Sequence, residues 1–90
     1  MMLGDILEEL DKFEENTKVK ISDGSYIRDE FGSDRGDYYD MYIGRSENKD
    51  KINTIKELKD LFYKALKKGV MTGYKGGEFD IDDSTFVRIG

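Results

Sequence analysis

From Thr54 to Gly69 the chain carries the pattern that leaves least freedom to the rest of it. Ile55, Leu58, Leu61, Phe62, Ala65 and Leu66 recur at three- and four-residue spacing, which puts them on one stripe of an α-helix. Thr54 with Glu57 three residues on reads as a capping box. Lys67 and Lys68 stand where the helix dipole favours cations, and Gly69 supplies the end. Such a stripe has to be buried, and each large side chain contributes roughly 1.5–3 kcal/mol when it is. This helix is therefore scaffold, and Leu61 and Phe62 are expected to tolerate truncation least.

A second stripe, Leu3, Ile6, Leu7, Leu10 and Phe13, predicts an amphipathic helix near the start, with Asp5, Glu8, Glu9, Asp11 and Glu14 on its outer face. Lys18–Ser22 alternates with period two and predicts a strand with Val19 and Ile21 inward, closed by an Asp23-Gly24 turn. Residues 25–37 read as an irregular loop anchored by Tyr26, Ile27 and Phe31. Tyr38–Gly44 alternates again, with Tyr39, Met41 and Ile43 on one face and Tyr38, Asp40 and Tyr42 on the other. Residues 45–53 form a polar connector. After the second helix come strands at 70–72, 78–81 (Phe79 and Ile81 inward) and 85–89, with Asp82-Asp83-Ser84 as a turn. The order αββαβββ predicts an α+β domain over residues 1–90. Its expected form is a single, mostly antiparallel sheet of four to five strands with both helices packed on one face.

Ninety residues bury roughly 60–65% of the unfolded chain's surface, enough for one modest core. Cysteine, histidine, proline and tryptophan are all absent. Without Cys and His the chain lacks the usual zinc ligands, the commonest general base near neutral pH and the thiol nucleophile. Hydrolase and metalloenzyme functions are thereby disfavoured, and a protein that is not an enzyme, with no cofactor, is expected. Asp80, Asp82 and Ser84 match the opening of a calcium loop, but the sixth position is Thr85 instead of glycine and the chain ends before a twelfth. Arg35-Gly36-Asp37 spells the adhesion tripeptide, to which a cysteine-free chain without a secretion signal gives no support. No long apolar run is present, so a soluble, unprocessed protein with no membrane partner is expected.

The net charge of −5 conceals a segregation: residues 1–48 carry −7, residues 49–75 carry +5 and residues 76–90 carry −3. Lysines of the second helix set against acidic surroundings predict internal charge complementarity, with the remaining acids facing solvent or a basic partner. A pI near 4.7 opposes direct nucleic-acid binding.

The segment Gly69–Phe79, in which four glycines flank Tyr74-Lys75, reads either as a hairpin between strands or as a site where amides cradle an anion. In the second reading Arg35 and Lys75 supply charge, the amides around Gly36, Gly76 and Gly77 hold a phosphate, and Tyr38 or Tyr74 stacks on a base. The rival reading is a protein-binding surface made of Asp29, Glu30, Asp34, Asp37 and Asp40 with the aromatics Tyr26, Phe31 and Tyr39.

Taken in order, Ile21-Ser22-Asp23-Gly24-Ser25, Arg35-Gly36-Asp37-Tyr38 and Gly73-Tyr74-Lys75-Gly76-Gly77-Glu78-Phe79 resemble motifs of a group of small bacteriophage-encoded proteins, over most of the chain. The lysine-rich stretch at 47–56 departs from that group. The resemblance implies an accessory protein acting in the cytoplasm of an infected bacterium. Its expected role is counter-defence: an inhibitor of a host protein, such as a nucleic-acid-handling enzyme. The alternatives are a sponge for a nucleotide signal and a component of virion structure or assembly.

Overall fold

The computed structural model describes residues 1–35 and 37–89, with the backbone alone at Asp37 and Tyr38. The elements in chain order are α1 (Leu3–Leu10), β1 (Tyr26–Ile27), β2 (Gly32–Asp34), β3 (Asp37–Ile43), β4 (Arg45–Ser46), α2 (Ile55–Lys68), β5 (Val70–Thr72), β6 (Glu78–Asp80) and β7 (Val87–Ile89). The class is α+β, but the single sheet does not form. Three small sheets take its place. β1 pairs antiparallel with β4, and β5 pairs antiparallel with β6, Met71 opposite Phe79. Between them β3 joins β2 antiparallel and β7 in parallel, Met41 opposite Val87 and Ile43 opposite Ile89. A parallel pair needs a long crossover, and here α2 and the β5–β6 hairpin make it.

Three local expectations change for reasons visible in the backbone hydrogen bonds. Residues 18–22 make no ladder, only an isolated bridge at Lys18. Lys18 bridges Thr54 and the Val19 amide donates to Asn53, whereas the Ile21 amide donates to Ser25 within the Asp23-Gly24 turn. The alternation is nonetheless expressed as burial, since Val19 and Ile21 pack against the core. Residues 25–37 and 45–53, expected as loop and connector, contribute β1, β2 and β4, and Ile52 of the connector is buried and bridged to Ile27. α1 ends at Leu10 because the amides of Lys12 and Phe13 bond three residues back, to Glu9 and Leu10. That tighter winding takes Phe13 off the stripe and leaves it 53% exposed.

α2 forms as its sequence dictates. The Thr54 hydroxyl oxygen accepts from the Glu57 amide at 3.2 Å and donates to the Glu57 carboxylate at 3.1 Å. At the other end Gly69 adopts φ +76° and its amide donates to the Ala65 carbonyl, a left-handed cap that costs glycine nothing. α1 starts differently, with no side-chain cap: the Leu3 and Gly4 amides donate to the carbonyls of Thr85 and Asp83 at 2.8 and 2.9 Å. Orphan helix donors are thus satisfied by a distant turn.

One apolar core gathers residues from both helices and all three sheets. It includes Leu3, Leu7 and Leu10 of α1, Ile27 of β1, Met41 and Ile43 of β3, Leu58 and Phe62 of α2, Phe79 of β6 and Val87 of β7. The charge segregation is expressed as pairs between the basic middle block and the acidic first block, Lys59 with Asp11 at 2.9 Å and Lys51 with Asp29 at 3.2 Å. Their carboxylates face solvent while the lysine side chains are mostly covered, and solvent screening of the exposed partner keeps each pair to about 1 kcal/mol, so burial carries the stability. Phe62 is 1% exposed and its ring centroid lies 5.1 Å from that of Phe31, whereas Leu61 is only half-buried. Phe62→Ala is expected to lower the unfolding free energy by about 3–5 kcal/mol and Leu61→Ala by about 1–2 kcal/mol, read from urea midpoints. Equal losses would contradict this placement of the stripe.

Candidate functional site

An open cleft of about 550 Å³ is lined by Tyr39 and Asp40 of β3, Val70 of β5, Glu78, Phe79 and Asp80 of β6, and Asp82, Ser84, Thr85 and Phe86. Period-two alternation builds it. In β6 Phe79 turns into the core at 8% exposure, so Glu78 and Asp80 on either side are turned outward. In β3 Met41 and Ile43 are fully buried, but Tyr39, at the same parity, lies past the core's edge and is 75% exposed. Its ring meets that of Phe79 edge-on, 6.0 Å between centroids and 89° between planes, the arrangement aromatic quadrupoles favour. This contact ties the β3 sheet to the β5–β6 hairpin.

The far wall is the Asp82–Thr85 turn. The Asp82 carboxylate oxygen Oδ1 accepts from the Ser84 amide at 2.8 Å and from its hydroxyl at 2.6 Å. The Asp82 amide donates to Thr85 Oγ1 at 2.9 Å. The Ser84 hydroxyl and then its amide hold the Asp82 carboxyl below its ordinary value, because both favour the charged form. Among the described residues Asp40, Glu78, Asp80 and Asp82 make no ion pair, and no three carboxylates converge as metal ligands.

A second groove of about 460 Å³ runs between the helices, with Asp5 and Glu8 of α1, its C-cap residue Asp11, Asp83 and Tyr63 among its lining. Asp82 belongs to one cleft and the adjacent Asp83 to the other. The turn therefore joins two acidic clefts into one band of carboxylates, in which, among the described residues, Asp11 alone is ion-paired, to Lys59.

The residues singled out from sequence distribute unevenly over this surface. Asp40 and Tyr39 lie in the cleft. Asp29 is paired with Lys51, which also holds its carboxyl below the ordinary value, and Glu30 is paired with Arg28 at 3.1 Å. Asp34 accepts from the Arg35 amide at 2.8 Å. Phe31 packs against Phe62, and Tyr26 is half-buried with the Lys20 ammonium 5.2 Å above its ring. Gly36 and the side chains of Asp37 and Tyr38 lie outside the described residues.

The Gly73–Gly77 segment forms a tight hairpin loop between β5 and β6. Gly76 sits at φ +90°, its amide donates to Gly73 O at 2.9 Å, and the Gly73 amide donates to Gly77 O at 2.5 Å. These two amides are consumed inside the loop. Tyr39, Gly73, Lys75, Gly77 and Glu78 surround a small cavity of about 190 Å³ there. Tyr74 is exposed at the tip, and Arg35 is not among the described residues lining the cavity.

Glu78, Asp80, Asp82 and Phe86 were legible as strand and turn but not as a surface. The signal that carried them was the charge of −3 on residues 76–90. Asp82→Ala is expected to lower the melting temperature at neutral pH. Because the Asp82 pKa is depressed on folding, its contribution is complete above the ordinary 3.8 and fades as pH falls through the folded value. The gap between variant and parent melting temperatures should therefore close below that pH, and a gap that widens in acid would contradict the assignment. Comparison with known protein families, with curated proteins and with solved structures finds no match for this chain.

Proposed function

We propose that this chain is a non-enzymatic binding protein that presents its acidic, aromatic-edged face to a basic surface on a partner protein. The observation that carries the proposal is the cleft between β3 and β6, where, among the described residues, Asp40, Glu78, Asp80 and Asp82 stand without ion pairs around Tyr39 and the half-exposed Phe86. Unneutralised carboxylates steer a cationic groove into contact and aromatic side chains supply the desolvated anchor. The continuation of the carboxylates past Asp83 onto α1 supports mimicry of a nucleic-acid backbone. Together with the likeness to small phage proteins, this favours an inhibitor of a nucleic-acid-handling host enzyme, acting in the infected cell's cytoplasm.

The second reading is an anion or nucleotide held at the Gly73–Gly77 loop, favoured by the small cavity beside Lys75. It ranks lower because Glu78 lines that cavity and the Gly76 amide is already used. Tagged protein incubated with host extract is expected to retain a partner that duplex DNA displaces. Asp40→Lys with Asp80→Lys should abolish retention without lowering the melting temperature, whereas Asp29→Lys with Glu30→Lys, whose carboxylates are already paired, should preserve it. Retention indifferent to the first pair, or a nucleotide released on denaturing the purified protein, would overturn the acidic-face reading.

A further inference from the structure

A third depression, of about 640 Å³, is unlike the acidic clefts and shares no lining residue with them. Its floor is the core itself, with Phe62 1%, Ile27 and Val87 4% and Leu58 6% exposed. Ile6, Val19 and Ile21 are half-buried walls. This is the place where residues 18–22 fail to complete a sheet, so their inward side chains face an opening instead of a neighbouring strand. Only Glu9 and Lys20 among the lining side chains are charged. Glu9 is already engaged by Lys12 at 3.0 Å. Among the described residues Lys20 has no carboxylate partner, and its ammonium rests over the Tyr26 ring. The Met1 ammonium also lies in the lining and donates to the Val87 carbonyl at 3.5 Å, so among the described residues the positive charges at this apolar groove are not matched by a free carboxylate.

We propose that this groove binds the hydrocarbon tail of a single-chain anionic amphiphile, with Lys20 meeting its head group. The volume falls within the range of small-molecule sites, and apolar walls with a small number of polar groups are their usual chemistry. A protein partner requires about 800 Å² of surface on each side, yet the strongly exposed apolar residues around this groove are the rim residues Met1 and Ile89. The remaining apolar walls face inward, where a chain that enters can reach them and a surface that docks cannot.

Calorimetric titration with octanoate, decanoate and dodecanoate below their micellar concentrations, and with dodecanol, tests this. Affinity should rise about fourfold for each added methylene. Lys20→Ala should weaken dodecanoate about two- to fivefold, as expected for a solvent-exposed ion pair, and leave dodecanol unchanged. Ile21→Trp should fill the groove and abolish both. The chain-length series and Lys20→Ala leave the floor intact and decide the matter whether or not Ile21→Trp folds. Absence of dodecanoate binding, affinity independent of chain length, or a Lys20→Ala effect shared equally by acid and alcohol overturns the proposal. A dimer in sedimentation that Ile89→Asp dissociates overturns it as well, since the groove then belongs to a second copy. Loss of partner retention by the acidic face changes none of these outcomes.

Discussion

Burial of a single apolar core is the constraint on which the rest of this molecule depends. Among the described residues no backbone ladder runs from one sheet to another: β1–β4, β2–β3–β7 and β5–β6 are separate, and strands of two or three residues have little stability by themselves. What holds them in register is that Ile27, Met41, Ile43, Phe79 and Val87 all enter the same interior, where Phe62 of α2 is nearly sealed. The hydrogen bonds from Leu3 and Gly4 to the Asp83–Thr85 turn and the edge-on contact of Tyr39 with Phe79 then lock the periphery onto that centre.

The acidic face follows from this arrangement. A strand that commits Phe79 to the core has to turn Glu78 and Asp80 outward, and the turn that receives α1 has to expose Asp82 and Asp83 beside it. Three lysines of the middle block, Lys59, Lys51 and Lys56, pair with Asp11, Asp29 and Asp60. Among the described residues the carboxylates of the cleft are left without ion pairs because the core fixes which acids lie near which lysines. The same geometry leaves the Val19–Ile21 walls uncovered, since the Ile21 amide closes a local turn in place of extending a sheet. The acidic cleft and the apolar groove are two consequences of one incomplete β-layer.

Much of this was legible in the sequence, and the failures have physical causes. The stripe and caps of α2 specify that helix locally, and Thr54, Glu57 and Gly69 act as the pattern requires. Alternation marked the inward positions of β3 and β6, and also those of residues 18–22, although there the backbone bonds went to a turn. Sheet continuity was not legible because period-two burial is the same whether a strand joins a wide sheet or a two-stranded ribbon. Phe13 was misplaced because the stripe does not record where a helix tightens into three-residue turns. Of the surface acids, Asp29 and Glu30 looked equivalent to Asp40 in sequence. The difference is made by Lys51 and Arg28, which fold against them.

Native-state hydrogen exchange tests the unity of the core most directly. The amides of Ile52, Met41 and Ile81 donate to Ile27, Phe86 and Gly69 at 3.0, 2.9 and 2.8 Å, one beside each of the three sheets. If a single core holds the sheets together, all three amides exchange only through global unfolding, with opening free energies that agree with one another and with the urea-derived stability. An Ile81 or Ile52 amide that opens several kcal/mol below Met41 would show separately unfolding pieces, and would contradict an acidic face held rigid by one interior.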